Sequence, residues 1–535
     1  MQYFLRGVSL KLSLDNFDKL KDCVDQFPSY DVEKLREDSL RDPHWLAFGA
    51  GNIFRGYIAR VNQDLINKGL SNRGISVVES FDSEIIDHIY KPFDNLTLSV
   101  TLNKDGKFST DLIANLVEGL VLSKDEERIE EIVKNKDLQI MSFTITEKGY
   151  NIHTPQGLVT DLAREDGLGN PEDSKHLMAR AAYYLYLRFK AGKLPITMLS
   201  LDNCSHNGQK LKDSIMYFVR AWNENNKVED DFVDFVDGGE FVSFPWTMID
   251  KITPRPADEI RDYLIGKGFE NMDAIVTDKR TYIAPFVNSE EAEYLVIEDD
   301  FKNGRDPLDK AGVYLTNRDT VNKVETMKVT TCLNPLHTCL AVYGCLLGYD
   351  SIAAEMKDQD LVSLIKKIGY DEALPVVVDP KILSPKAFID EVIEVRLPNR
   401  FIPDTPQRIA TDTSQKIPIR FGQTIKKYVE AGKVSELKFI PLAIAGWLRY
   451  LFGLDDNLQK FDLSADPLLS DLKKIYENME IGNIDEAAIR KLLKNETIFG
   501  LDLEKAGLAD LIVKYLKELS MGKGAVRSTL KKYLR

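Results

Sequence analysis

Between His44 and Ser80 the sequence runs HWLAFGAG, IFRGYIARVNQDLINKG and RGISVVES, an order that leaves few folds open. The first run predicts a short apolar strand entering glycines. The second has apolar positions at helical spacing and ends at Gly69, and the third predicts another strand. Strand, glycine turn, helix and strand form the repeating unit of a dinucleotide-binding sheet. Two further strand-like runs, LQIMSFTIT (138–146) and LPITMLSLD (194–202), alternate with a helical run around 175–191. This half therefore predicts an α/β domain with a mainly parallel sheet.

After about residue 318 the strand patterns stop. Helical spacing takes over at 322–347, 359–367, 385–395, 422–431, 436–453, 467–478, 485–493 and 503–517. A chain of 535 residues exceeds one ordinary core. The expected division is a polar N-terminal extension (1–40), a Rossmann-type NAD-binding domain (41–317) and a mostly α-helical substrate and catalytic domain (318–535).

Composition removes several function classes. A net charge of −14 argues against nucleic acid as a partner, because phosphate backbones need a basic face. No uncharged apolar stretch reaches the ~18 residues of a membrane span. The start MQYFLRGVSLKLSLDNF lacks the apolar core and cleavage site of a signal peptide, so a cytoplasmic protein is expected. The cysteines (Cys23, Cys204, Cys332, Cys339, Cys345) and histidines (His44, His88, His153, His176, His206, His337) show no metal-ligand spacing, and no metal is expected.

The turn GAGNIFRG, from Gly49 to Gly56, carries the first two glycines of a cofactor fingerprint, with the next one late. Glycines let backbone approach a pyrophosphate, and helix-start amides stabilise its charge. Gly49, Gly51, Asn52, Ile53, Phe54 and Arg55 are thus the expected cofactor residues. Glu79 ends the second strand, where a carboxylate accepts hydrogen bonds from a ribose and repels a 2′-phosphate, which predicts NAD over NADP. A solvated strand end is the plainer explanation, since Glu79 lies further from Gly51 than the usual ~20 residues. Asp82 is the substitute.

ETMKVTTCLNPLHTCLAVYGCLLGY, starting at Glu325, concentrates polar groups among apolar ones. Singly, each has a bland explanation: a solvated lysine, an asparagine cap, a core histidine. Pro335 breaks the helix, and Asn334 is expected to cap the second piece. Together, Lys328, Asn334 and His337 resemble the lysine–asparagine–histidine signature of the polyol-specific long-chain dehydrogenases. That family includes mannitol 2-dehydrogenase, fructuronate reductase and tagaturonate reductase. GAGNIFRG, TITEKGY (144–150), SLDNCSHNG (200–208), FPWTMIDKITP (244–254) and DTPQRIATDTSQKIPIR (404–420) agree in order, so the resemblance spans about 45 to 530.

One departure stands out. Many polyol-oxidising members have five positions from lysine to asparagine, whereas here there are six, followed by Pro335-Leu336. Lys328 then needs a bulge; aligning on Asn334 instead puts Val329 in its place. Glu325 matches the family's proton-exchange glutamate and favours Lys328.

The resemblance implies NAD-dependent hydride transfer without a metal, with Lys328 as acid–base group and Asn203 and Asn334 as oxyanion donors. It further implies that His337 and Asp250 orient substrate hydroxyls, while Arg408 and Lys416 bind the far end of a sugar acid or polyol. The Asn-Pro-Leu-His form and the six-residue step look closest to the fructuronate-reductase-like branch. Charge agrees: Arg396, Arg400, Arg408, Lys416 and Arg420 face only Asp404 and Asp412 within 396–420, an excess suited to a substrate carboxylate. The expected reaction interconverts D-fructuronate and D-mannonate. Tagaturonate reductase, mannitol 2-dehydrogenase and a non-catalytic NAD-binding sensor are the alternatives. A monomer or weak homo-oligomer is expected.

Overall fold

Trp45–Phe48 (β1) is apolar and buried at every position, as a strand covered on both faces of a parallel sheet must be. The computed structural model describes residues 10–534 except 104 and 155. The chain divides into two compact units, Met1–Asn322 and Lys323–Arg535. In the first, β1 joins Ile75–Glu79 (β2), Leu116–Val121 (β3), Ile140–Phe143 (β4), Ile196–Ser200 (β5) and Val242–Ser243 (β6) in the order β3-β2-β1-β4-β5-β6. Every neighbouring pair is parallel, which is the expected α/β class.

Alternation of side chains sorts the strands onto two cores. Leu46 and Phe48 pack on one face with Met141, Phe143, Met198 and Trp222. Trp45 and Ala47 pack on the other with Ile75, Val77, Tyr57 and Leu65. Tyr57 belongs to the wide-turned segment Phe54–Ile58 and Leu65 to helix α1 (Ala59–Asn67). A third core is built beside a smaller sheet of Phe286–Glu290, Thr97–Leu102 and Phe108–Ile113. Leu10, Leu12, Leu20 and Val32 enter that core with Leu98, Val100, Phe269 and Phe286. Leu10 also exchanges backbone hydrogen bonds with Gly268 and Glu270.

Beyond Thr316 the described residues contain helices and isolated bridges but no strand. Helix α2 (Arg318–Met327) runs into a wide turn at Lys328–Cys332, followed by α3 (Asn334–Leu347). Asn334 does not cap α3. The cap position is Leu333, without a side-chain bond, because Pro335 is best accommodated near the start of a helix, where its missing N–H is no loss. Asn334 is therefore already helical. The run expected at 503–517 begins only at Ala509, after a turn through Gly507, whose φ is +78°.

Helix α3 meets helix α5 (Phe439–Tyr450) where Gly446 leaves room for the Tyr343 ring, whose hydroxyl donates to the Leu442 carbonyl at 2.9 Å. On another side of α3, a Cβ at Gly344 would stand 2.0 Å from Glu355 Oε1 and 2.9 Å from Pro406 Cγ. Glu355 is fully buried, and neither of its oxygens has a hydrogen-bond partner. Burial, reinforced by Asp358, pushes its pKa up to about 10.

A carboxyl raised in the folded state stays protonated while the unfolded chain releases its proton. Its contribution to stability is full below pH ~4.5 and is lost as pH rises towards 10, by up to about 1.4 kcal/mol per pH unit. Glu355→Gln should therefore match the parent near pH 4 and exceed it increasingly at pH 6 and 8 in urea unfolding. Parallel pH profiles for the two proteins would reject this.

Candidate active site

β1 ends at Phe48, and the chain then needs a reversal that only Gly49 provides. Its φ is +101°, and a Cβ there would lie 2.2 Å from the Thr144 carbonyl. Gly51 meets nothing within 4 Å, so backbone at this point can approach a ligand closely. Helical structure begins at Asn52, and the Arg55 amide donates to the Gly51 carbonyl. The first-turn amides have no partner within the helix. This is a cradle of the size and polarity that suits a pyrophosphate. The side chains of Phe54 and Arg55 turn inward. Arg55 donates to Thr97 Oγ1, the Ala284 carbonyl and Asn52 Oδ1. Ile53 packs on the core beneath.

Glu79 is not a solvated strand end. Its buried carboxylate accepts from the amides of Ala50 (3.0 Å), Phe81 (2.8 Å) and Asp82 (3.1 Å), tying the glycine turn to the end of β2. Three N–H donors leave about one of its four acceptor positions open. Asp82, also buried, accepts from Thr277 Oγ1 at 2.7 Å.

Three other motif segments meet at Asp202. Its carboxylate accepts from the amides of Ile145 and Thr146, each at 2.9 Å, and from Tyr150 Oη at 2.6 Å. Thr146 has φ 64° and ψ 160°, a conformation costly for a β-branched residue unless its surroundings enforce it. Asn207 completes the junction, donating to the Asp202 carbonyl and Thr247 Oγ1. TITEKGY, SLDNCSHNG and FPWTMIDKITP are thus one hydrogen-bonded assembly carrying Asn203. Sequence reasoning names Asn203 but not Asp202, Tyr150, Asn207 or Thr247, whose function is to hold backbone. Asp250 is buried at the end of its strand, opposite Tyr294. The next residue, Lys251, pairs with Glu293 at 2.9 Å.

In the second unit, Lys328 is buried at the start of the wide turn, while Glu325 and Val329 are half-buried. The Leu333 amide donates to the Lys328 carbonyl at 3.1 Å, five residues back, where a regular helix would span four. The extra residue between Lys328 and Asn334 is absorbed as such a bulge.

One turn along α3, His337 Nε2 lies 3.2 Å from Asp404 Oδ2, yet it forms no hydrogen bond among the described residues. Burial, then repulsion from Arg420, Arg408, Lys416 and Arg396, lowers its pKa to about 3. The imidazole is therefore neutral, with four cations acting on it and the Asp404 carboxylate beside it. Asp404 is committed to Arg408. Lys416 donates to the carbonyls of Ile409 and Thr411. Burial, together with Arg420 and Arg408, lowers its pKa to about 8. Among the described residues no group of three or more His, Cys, Asp or Glu side chains is placed to hold a metal ion, and no helix is long and apolar enough to cross a membrane.

Comparison with known proteins agrees with this layout. Residues 43–310 match the mannitol dehydrogenase Rossmann domain, and residues 320–520 match the mannitol dehydrogenase C-terminal domain. The chain is 48% identical to the D-mannonate oxidoreductase of Thermotoga maritima over 94% of both proteins. It is 29% identical to the D-mannonate oxidoreductase of Escherichia coli, over 89% of this chain and 91% of that one. Among solved structures, a substrate-free D-sorbitol dehydrogenase superposes with a TM-score of 0.80 at 25% identity, covering 94% of this chain and 97% of that one. Pseudomonas fluorescens mannitol 2-dehydrogenase, in a ternary complex with NAD and D-mannitol, gives 0.70 at 24% identity, covering 98% and 99%. A glycine cradle on a parallel sheet, a helical unit bearing Lys328, Asn334 and His337, and matches to both family domains identify the chain as a member of the mannitol dehydrogenase family.

Proposed function

We propose that this NAD-dependent oxidoreductase of CH–OH groups interconverts a hexuronate ketone and its aldonate alcohol, D-fructuronate and D-mannonate. The observation that carries the reading is the concentration of Arg396, Arg408, Lys416 and Arg420, whose charges all act on the buried, neutral His337. In a chain of net charge −14, such a concentration of cations suits an anionic sugar. The D-mannonate oxidoreductase of Thermotoga maritima, 48% identical, supports the same substrate.

Residues 41–317 hold the cofactor and 318–535 the substrate in this proposal. NAD, when bound, accepts hydride in alcohol oxidation and, as NADH, donates it in ketone reduction. The backbone of Gly49, Gly51, Asn52, Ile53, Phe54 and Arg55 cradles its pyrophosphate. Glu79, with one acceptor position left, takes a ribose hydroxyl, supported by Asp82. Lys328 gives a proton to the carbonyl oxygen in reduction and removes it from the hydroxyl in oxidation. Glu325 exchanges that proton with solvent. The amides of Asn203 and Asn334 donate to the oxygen as charge builds on it. His337 and Asp250 orient substrate hydroxyls, and Arg408 and Lys416 bind the far end. The protein acts in the cytoplasm as a monomer or weak homo-oligomer.

Efficiency on fructuronate, tagaturonate and fructose at fixed NADH tests the substrate. Fructuronate should lead. A lead for fructose would reject the acid reading, and a lead for tagaturonate would change the stereochemistry.

Lys328→Met should keep NADH affinity, read by fluorescence titration, while turnover falls at least about a hundredfold. Near-parental turnover would remove Lys328 from the chemistry.

Glu79→Ser should weaken NADH binding and raise the efficiency of NADPH relative to NADH. Equal losses with both cofactors would mean that Glu79 only holds the amides of Ala50, Phe81 and Asp82.

A further inference from the structure

Arg420, the last residue of helix α4 (Thr413–Arg420), has a single hydrogen-bond partner among the described residues, Thr338 Oγ1, and no carboxylate pairs with it. Three other arginines that reach inward, Arg188, Arg449 and Arg527, are compensated. Arg188 donates to the carbonyls of Val133, Asn135, Leu138, Leu194 and Pro195. Arg449 donates to those of Leu519, Leu454 and Asp455. Arg527 is shared between Asp358 and Asp360. A guanidinium has five N–H donors and cannot shed its charge, so Arg420 keeps most of its hydrogen-bonding capacity unused. Burial lowers its pKa to about 10, and no carboxylate offsets that shift.

Its neighbours worsen the imbalance. Lys416 lies one turn earlier on the same face of α4, and Arg420, Arg408, Lys416 and Arg396 all act on His337. Of the nearby carboxylates, Asp404 is engaged by Arg408 and Asp466 by Ser414, while Asp412 acts on Lys416; none of them pairs with Arg420. Thr338 Oγ1, which accepts from Arg420, in turn donates a hydrogen bond to the Asn334 carbonyl at 2.9 Å. The guanidinium is thereby held against the helical turn that carries Asn334 and His337. Arg408 is a weaker anchor, because its side chain is 60% exposed and already paired.

We propose that Arg420 receives the carboxylate of the sugar-acid substrate and is the residue that separates acids from neutral sugars. This rests on the acid-substrate reading above and adds to it the atom that does the selecting. A planar guanidinium offers two parallel N–H donors to a carboxylate, and a neutral hydroxymethyl group in the same place leaves the charge uncompensated.

The test compares the parent with Arg420→Met and Arg420→Lys, measuring kcat and KM on fructuronate and on fructose with saturating NADH. The acid-to-neutral ratio of kcat/KM should fall roughly a hundredfold in Arg420→Met, mainly through KM, and less in Arg420→Lys, which keeps the charge without the fork. Because no ion pair is broken, the thermal midpoint of Arg420→Met should equal or exceed the parent's, while D-mannonate should lose its ability to raise it. A parent that prefers fructose overturns the acid-substrate reading itself. A parent that prefers fructuronate, with the ratio kept in Arg420→Met, leaves that reading intact and overturns the role of Arg420. Should Arg420→Met not fold, the same ratio and D-mannonate thermal shift in Arg420→Lys decide, with parental values for both rejecting the proposal.

Discussion

Backbone amides at strand ends cannot be buried without acceptors, and two carboxylates meet this demand for the first unit. Glu79 takes the amides of Ala50, Phe81 and Asp82, and Asp202 takes those of Ile145 and Thr146. Each lone amide left without a partner would cost about 1–3 kcal/mol. Both carboxylates lie at or just past the carboxyl end of a strand, where an open parallel sheet presents its ligand site. Neighbouring strand ends are joined through the same two groups, so the turns there are set by side-chain acceptors as well as by their own backbone preferences. The left-handed Thr146 is the clearest sign, since a threonine does not hold φ 64° unaided.

The second unit holds its lysine by a different arrangement. The wide turn at Lys328–Cys332 shifts the helical register by one residue before α3 begins. An inserted residue in a regular helix would rotate everything after it by about 100°. Confining the change to one turn keeps both flanking helices regular and leaves Lys328 buried. Wide turns of this sort recur at functional positions because they alter side-chain direction without breaking the element.

Much of the sheet is legible in the sequence because its strands are covered on both faces and read as mostly apolar runs: WLAF, ISVV, IMSF and ITMLS. The smaller sheet is not legible. FSTDLI mixes polar and apolar positions in a half-covered strand, and the match of Leu10 with Phe269 joins residues too distant in sequence for any local pattern. The polar look of residues 10–41 likewise hides Leu10, Leu12, Leu20 and Val32, which face a core contributed by distant strands. Local rules also misplace the α3 cap, where an asparagine before proline suggests a capping side chain and the helix instead begins on the asparagine. Motif segments are visible as letters, but the partners of Glu79 and Asp202 exist only after folding.

The buried Glu355 and the half-buried Arg420 of the helical unit are both short of protein partners among the described residues, and their chemistry separates them. Glu355 has no hydrogen-bond partner and sits against Gly344, yet it can escape the cost of charge by keeping its proton. Its environment is consistent with an acid that stays neutral throughout the life of the fold. Arg420 has no such escape, because a guanidinium remains charged at any pH a protein tolerates. An apolar or neutral residue would fit the same backbone without placing an uncompensated charge at a half-buried position. A cation held beside Lys416, Arg408 and Arg396 and tied only to the Thr338 hydroxyl is explained if the missing negative charge arrives with the substrate.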